Sequence, residues 1–142
     1  WKRVHAFWRP VTAIRAADTD GNPNTIKDSA WDSLRAAPPV QDYPSTHSVL
    51  GAAAAEVMRR FSGTDKHEFC FVSLTSTPAG SERCFDRLSQ ARDENADSRV
   101  VVGIHFRTAV EEGVRLGQKI GKYTIKYNLR ALDDDEGNAD SD

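Results

Sequence analysis

The residues that could do chemistry in this 142-residue chain fall into three short groups separated by long intervals. They share an ability to bind oxyanions or to move protons, through cationic, hydroxyl and imidazole side chains. In chain order they are Lys2, Arg9, Ser45, Thr46, His47, Arg99 and His105.

The first group is a pair of cations, Lys2 and Arg9, followed directly by Pro10. On a continuous helix this spacing is two turns, which places the two backbones roughly 10 Å apart on one face. Long side chains can converge on a single anion from that distance. Such pairs are also common on ordinary solvated helices, so this one gains weight only from the other groups.

The second group follows Pro44, and its first residue, Ser45, is a favourable N-cap. The first backbone N–H groups of a helix have no helical acceptor, so they form an anion cradle to which the Ser45 hydroxyl can add a donor. His47 lies within one turn and could act as an acid or base there. The alternative is a capped helix with an incidental surface histidine.

The third group is Arg99 and His105. A guanidinium is a planar fork suited to oxyanions. His105 stands in the apolar context Gly-Ile-His-Phe, where a histidine needs a specific partner. It is either a satisfied core histidine, or a metal ligand or nucleophile.

Together the groups read Lys-x6-Arg-Pro, Pro-Ser-x-His and Ser-Arg-x5-His, which resembles the vanadium haloperoxidase and type-2 phosphatidic acid phosphatase superfamily. The flanking segments FWRPVTAIR at 7–15, YPSTHSVLGAAAAEV at 43–57 and ENADSRVVVGIHFR at 94–107 resemble its bacterial haloperoxidase-like branch. The resemblance covers about residues 1–130.

The resemblance implies a role for each signature residue. Lys2, Arg9 and Arg99 would neutralise the oxygens of vanadate, and Ser45 with the backbone N–H of Thr46 would bind the same anion. His105 would be the axial vanadium ligand and His47 the acid–base residue. Lys2, His47 and His105 are thus the implied catalytic residues.

The implied activity is a vanadate-dependent haloperoxidase, which oxidises halide with hydrogen peroxide to a hypohalous acid equivalent. Its partners are peroxide, halide and a small organic acceptor, with vanadate as cofactor. Val40 stands where peroxidases of known halide preference carry an aromatic residue or histidine, so no halide is assigned. Thr46 stands where glycine is frequent.

The alternative activity is an acid phosphatase or phosphotransferase of the same superfamily, which binds a phosphate ester in the same cradle and needs no cofactor. The residue matching His105 then attacks phosphorus to give a phosphohistidine, and the one matching His47 protonates the leaving group. That branch commonly has an aspartate four residues after the nucleophile. Here that position is Ala109, which weakens the phosphatase hypothesis.

A third hypothesis is a non-enzymatic module or degenerate relative. The intact signature residues argue against it, because loss of activity should remove such residues first. Nucleic-acid binding has no support, because the bases are not clustered with aromatic residues.

Hydrophobic periodicity indicates that mostly helical elements position these groups. The predicted helices cover residues 1–17, 29–36, 45–60, 82–95 and 98–129. Pro10 should kink the first helix or begin a new one, and Asp28 should cap the second. The run of prolines in 37–44 excludes helix, and 68–75 is a strand or an extended connection.

The fold class expected is all-α, a helical bundle of the vanadium haloperoxidase and acid phosphatase type that is incomplete at its N-terminal side. Residues 1–132 would be its C-terminal part, in a longer protein, and 133–142 a disordered tail. That tail holds six of the 21 acids, which leaves 15 acids against 19 bases, a net charge of +4 in the body. The glycines at 113, 117 and 121 are expected to mark close helix packing.

Two further predictions concern the environment of the protein. Cys70 and Cys84 could form a disulfide in an oxidising compartment or be two small buried side chains. With the resemblance, a disulfide would suggest a secreted or periplasmic location. No apolar run approaches the ~20 residues needed to span a bilayer, and a homo-oligomer is left open.

Overall fold

A computed structural model describes residues 2–74 and 78–129. Five helices and two strands follow in chain order: α1 (Lys2–His5), α2 (Pro10–Arg15), α3 (Thr46–Ser62), β1 (Lys66–Ser73), β2 (Ser81–Arg87), α4 (Leu88–Val101) and α5 (Arg107–Tyr127). The expected helical bundle is confirmed, with a small hairpin added to it. The predicted acidic tail lies outside the described residues.

The first predicted helix is divided at the proline. Pro10 is the first residue of α2, where its missing N–H costs nothing. Ala6 adopts a positive φ of 46° in the break before it. Lys2 therefore lies on α1 and Arg9 just before α2, and the prediction that both share one helix face was wrong.

Residues 18–44 connect α2 to α3 mainly through turns. The helix predicted over 29–36 was wrong, because the polar groups of this segment bond elsewhere. The Asp28 carboxylate accepts from the N–H of Ala30 in a local turn. The Trp31 carbonyl accepts from Nε of Arg15, and the Leu34 N–H donates to the Val102 carbonyl at 3.0 Å. The non-helical character of 37–44 is confirmed.

Helix α3 begins and ends where its sequence predicts. Ser45 is the N-cap, and its side chain accepts from the N–H of Ser48. Gly63 ends the helix in the left-handed conformation, with φ of 75°. The Ser45 N–H donates to the Ala109 carbonyl at 2.8 Å, which ties the start of α3 to α5.

The principal packing is between α3 and α5. Gly113, Gly117 and Gly121 are buried on the facing side of α5. A Cβ at any of them would meet α3 backbone: at Gly121 it would lie 2.7 Å from the Ala53 carbonyl oxygen. The prediction that these glycines mark close helix packing is confirmed.

Strands β1 and β2 pair antiparallel, and Cys70 and Cys84 are direct partners joined by a disulfide. The strand predicted near 68–75 is confirmed. The helix predicted from Glu82 was wrong, because residues 81–87 belong to β2 and α4 begins only at Leu88. Cross-strand pairing with β1 and the disulfide override the local helix propensity here.

The helix predicted over 98–129 is confirmed in its larger part as α5 (Arg107–Tyr127). Its predicted start at residue 98 was wrong, because a break at 102–106 separates α4 from α5. Gly103 allows it, with a φ of 78° and with the Trp31 ring so close that a Cβ would lie 3.0 Å from it. The break matters for function because it carries His105. None of the helices in the described residues is long and apolar enough to cross a membrane.

Candidate active site

The signature residues come from four segments of the chain: the α1–α2 region, the start of α3, the end of α4, and the α4–α5 break. Arg9 and His105 are in direct contact in the buried centre, where Arg9 is 7% and His105 4% exposed. Arg9 also interacts electrostatically with Lys2 and Arg99.

Arg9 is held by carbonyl groups from two of these segments. Its Nε donates to the Val40 carbonyl at 2.8 Å, and its Nη1 donates to the Ile104 carbonyl at 2.8 Å. The same Nη1 lies 3.2 Å from Nε2 of His105. Burial lowers the pKa of Arg9, Asp42 opposes that shift, and Arg99 adds to it. The guanidinium is thus fixed against the imidazole.

The other ring nitrogen of His105 faces a buried carboxylate. Its Nδ1 lies 2.5 Å from Oδ1 of Asp42, a side chain that is 0% exposed. Arg9 Nη1 is 3.8 Å from the same carboxylate oxygen. The other oxygen, Oδ2, accepts from the backbone N–H of Phe106 at 3.3 Å. Asp42, His105 and Arg9 therefore form one buried cluster.

Lys2 approaches the same cluster from α1. Its Nζ donates to the carbonyls of Gln41 and Asp42, at 2.7 and 2.9 Å. Burial lowers the pKa of Lys2, the charge of Arg9 lowers it further, and Asp42 opposes both. Lys2 and Arg9 thus both donate to carbonyl groups of the short segment before α3, although they do not share a helix.

The start of α3 supplies the donors that the sequence predicts. Ser45 is buried at the cap, and the first N–H groups of α3, beginning with Thr46, lack acceptors within the helix. The positive end of the helix dipole adds to their attraction for an anion. The cap is fixed from both sides, since the Ser45 N–H is bonded to Ala109 and its carbonyl accepts from Val49.

His47 lies exposed on the first turn of α3. Its carbonyl accepts from the Asn95 amide at 3.0 Å, which anchors the turn to α4. Burial lowers the pKa of His47, and the charge of Arg99 lowers it further. His47 is therefore electrostatically coupled to the cluster and is held in its neutral, proton-accepting form near pH 7.

Arg99 is the remaining cation, near the end of α4. Among the described residues, its buried Nε has no hydrogen-bond partner. Burial lowers the pKa of Arg99. A buried guanidinium N–H without a partner is costly, so it is well suited to an anion that supplies the missing acceptor. Arg99 also lines a cavity of about 680 Å³ between α4 and the hairpin.

The charges of these residues favour a small oxyanion. Lys2, Arg9 and Arg99 carry three positive charges, and Asp42 carries one negative charge. The sum is +2, which an anion of charge −2 would balance and an anion of charge −1 would reduce to +1. A tetrahedral oxyanion also matches the donors, which are guanidinium forks and a helix N-terminus. Vanadate and phosphate both fit this description.

Asp42 is the functional residue that sequence reasoning missed. The position at which the family pattern would put a carboxylate partner of His105 is four residues later, where Ala109 stands. Asp42 is 63 residues away along the chain and belongs to a connection without regular structure. The one sequence signal is an acidic residue two positions before Pro44 of the Pro-Ser-x-His group, and that spacing alone does not indicate a contact with His105.

The fold and the site together define a helical-bundle domain with a buried cluster of cationic, carboxylate and imidazole side chains. The family model described as the VCPO second helical-bundle domain matches residues 1–134. The chain therefore belongs to that family. No curated protein matches the chain by sequence.

Solved structures agree with this assignment. The chain is 34% identical to a bacterial vanadium-dependent iodoperoxidase, with a TM-score of 0.66 over 83% of this chain and 26% of that one. A bacterial vanadium-dependent chloroperoxidase in its holo form is 23% identical, with a TM-score of 0.67 over 83% of this chain and 29% of that one. The chain thus spans less than a third of these relatives, and the second likeness shows the fold alone.

Proposed function

We propose that this chain supplies the oxyanion site of a vanadate-dependent haloperoxidase. The reaction is X⁻ + H₂O₂ + H⁺ → HOX + H₂O, in which halide loses two electrons and the peroxide oxygens are reduced. The observation that carries the proposal is the buried Arg9–His105 contact, with the charges of Lys2 and Arg99 within electrostatic reach of Arg9. Membership of the VCPO family and the likeness to a bacterial iodoperoxidase support vanadate as the anion.

The cations and donors of the cluster would hold vanadate. Lys2, Arg9 and Arg99 would neutralise its oxygens, and Arg99 Nε has no competing partner among the described residues. Ser45 and the backbone N–H of Thr46 would donate to it from the start of α3. His105 would be the ligand through Nε2. Bound vanadate supplies a Lewis-acidic centre at which hydrogen peroxide is activated toward halide.

His47 is the residue proposed to take the peroxide proton. Its lowered pKa keeps the imidazole neutral and able to accept. Its exposed position on α3 lets the proton pass to solvent afterwards. Lys2 would supply positive charge that polarises hydrogen peroxide in the site, since its ammonium group lies at the edge of the cluster and the residue is only partly buried.

The organic acceptor has an approach route beside Arg9. A cavity of about 380 Å³ there is lined by aromatic and apolar residues, among them Phe7, Trp8, Pro38 and Val40. Trp8 directly precedes Arg9 in the sequence, and the Val40 carbonyl accepts from Arg9 Nε, which supports an acceptor position close to the cluster. The disulfide supports a secreted or periplasmic location.

One observation favours the phosphatase alternative more than the sequence did. The contact between Asp42 and His105 provides the carboxylate partner that Ala109 cannot provide. In that reaction Nε2 of His105 attacks phosphorus, the ester P–O bond breaks, and protonated His47 gives its proton to the leaving oxygen. Water then hydrolyses the phosphohistidine and releases phosphate.

A paired assay on the full-length protein separates the two activities. Peroxide-dependent bromination and phosphomonoester hydrolysis are measured on one preparation, with and without added vanadate. The haloperoxidase proposal expects bromination only with vanadate, and inhibition of loading by excess phosphate. Background bromination in protein shown to contain vanadate would reject it, and ester hydrolysis that vanadate inhibits would establish the alternative.

His105→Ala tests the proposed ligand directly. The variant should lose vanadate retention, measured by equilibrium dialysis, while its circular dichroism stays that of the wild type. His67→Ala is the matched control, because His67 lies on β1 and bonds to Ser62, away from the cluster. Full vanadate occupancy in His105→Ala would refute the proposal that His105 is a ligand.

A further inference from the structure

We propose that Asp42 is the positioning residue of His105: its carboxylate keeps the ring proton on Nδ1 and so leaves the lone pair on Nε2, the atom that would face the oxyanion. The inference rests on the proposed function only in that His105 must face an oxyanion. It applies equally to vanadate and to a phosphoryl group.

The contact itself is close and excludes solvent. Nδ1 of His105 and Oδ1 of Asp42 are 2.5 Å apart, and the two side chains are 3% and 0% exposed. Within residues 2–74 and 78–129, neither atom has another hydrogen-bond partner. A buried carboxylate oxygen and a buried ring nitrogen both need a hydrogen-bond partner. Here each of these two atoms is the partner of the other.

Arg9 gives independent evidence for the same tautomer. Its Nη1 lies 3.2 Å from Nε2, on the opposite side of the ring. A guanidinium has only donors and keeps its charge in proteins, so Nε2 must be the acceptor. In a neutral imidazole whose Nε2 accepts, the proton is on Nδ1. The contacts on the two sides of the ring therefore require one arrangement of the proton.

Asp42 is itself held from several directions. Its backbone N–H donates to the Phe7 carbonyl at 2.9 Å. Its Oδ2 accepts from the Phe106 N–H, and its carbonyl accepts from Lys2 Nζ. These bonds leave the carboxylate little freedom to rotate away from His105. The orientation of the imidazole is thus fixed by the connection before α3, not by the helix that follows it.

The carboxylate that contacts His105 comes from the connection before α3, and not from the position four residues after the histidine. Position 109 on α5 is a buried alanine whose carbonyl is bonded to Ser45. Asp42 reaches Nδ1 of His105 from another segment, and it also balances part of the charge of Arg9. Groups that orient a metal-binding histidine in this way typically change affinity about 10- to 100-fold when they are removed.

The test combines two measurements on the full-length protein: ¹⁵N NMR of the histidine ring nitrogens and equilibrium dialysis of vanadate. The His105 signals are assigned as those that disappear from the spectrum of His105→Gln. The wild type should carry the His105 proton on Nδ1. Asp42→Ala should lose that preference and bind vanadate about 10- to 100-fold more weakly. Asp42→Asn should fall between them, because its amide oxygen can still accept. Asp97→Asn, an exposed partner of Arg107, should match the wild type.

A wild-type His105 that carries its proton on Nε2 would overturn the proposal. So would wild-type vanadate affinity in both Asp42 variants. If Asp42→Ala does not fold, the wild-type tautomer and the Asp42→Asn affinity decide the question. A protein with the expected tautomer and affinities but without bromination would reject the haloperoxidase function and leave the positioning role standing.

Discussion

Gly113 packs directly against the cap of the site: a Cβ at Gly113 would lie 2.7 Å from the carbonyl oxygen of Ser45 and 2.7 Å from the Cβ of Ser48. Neither of these two atoms lies at the flexible end of a side chain, so neither can move aside easily. The close approach of α5 to α3 is therefore what holds Ser45 beside the segment that carries His105, and the packing glycines serve the site as well as the fold.

Gly113→Ala should consequently destabilise the protein and weaken anion binding. Alanine favours a helix by about 1 kcal/mol over glycine. Overpacking against a rigid backbone costs about 1–3 kcal/mol, so the clash should exceed the helical gain. Urea unfolding should show a net loss of stability, and phosphate or vanadate affinity should fall because Ser45 is displaced.

Lys119→Ala is the control on the same helix. Lys119 is exposed, and such surface changes usually stay within about 0.5 kcal/mol. If Gly113→Ala is as stable as Lys119→Ala and binds the anion normally, α3 and α5 do not approach as closely as the structure shows.

The features that sequence could predict are those set by local chemistry. Ser45 and Gly63 bound α3 because capping depends on residues next to the helix end. Pro10 marks the start of α2 for the same reason. The oxyanion site was predicted from the types and spacing of its residues, and the structure brings Arg9 and His105 into contact. Their roles remain predictions.

The features that sequence missed depend on contacts between distant segments. Residues 81–87 form a strand only because β1 lies beside them. The α4–α5 break occurs at Gly103, where Trp31 packs from another segment. Asp42 reaches His105 across the fold and has no periodic relation to it. Local propensity and periodicity cannot detect any of these three arrangements.

The disulfide should contribute measurably to the stability of the hairpin. Cys70 and Cys84 are 14 residues apart, and closing a loop of about that length stabilises a protein by about 3 kcal/mol in the chain-entropy model. The double variant Cys70→Ser/Cys84→Ser should therefore lower the free energy of unfolding by about 2–4 kcal/mol. Hydrogen exchange of the β1 and β2 amides should accelerate.

Reductant provides the internal control for that experiment. The wild type with reductant should match the double variant, and the double variant should not respond to it. Equal stability of oxidised and reduced wild type would show that the hairpin does not depend on the bond.

His47 should titrate below its ordinary pKa of about 6.5, because burial and then the charge of Arg99 disfavour its protonated form. Removing a repelling cation should reverse part of this shift. Arg99→Gln is expected to raise the pKa of His47 toward, but not above, 6.5, since burial remains. NMR titration of the His47 ring protons measures the change.

Arg107→Gln is the matched control, because Arg107 is exposed and paired with Asp97. It should leave the His47 titration where it is in the wild type. An unchanged pKa in Arg99→Gln would mean that Arg99 does not act on His47. In the active protein, the lowered pKa should extend base-dependent turnover to more acidic conditions, until His47 itself is protonated.

Arg9→Lys should be strongly disruptive although it preserves the charge. Nε and Nη1 of Arg9 serve the carbonyls of Val40 and Ile104, which come from different segments. A single ammonium cannot reproduce that fork, so at least one buried carbonyl would lose its donor, at a cost of about 1–3 kcal/mol. Urea unfolding should show this loss, and phosphate affinity should fall because the cation nearest His105 is misplaced. Arg3→Lys, at an exposed position of α1, should change neither the stability in urea nor the phosphate affinity. If Arg9→Lys leaves both quantities as unchanged as Arg3→Lys does, Arg9 acts only through its charge.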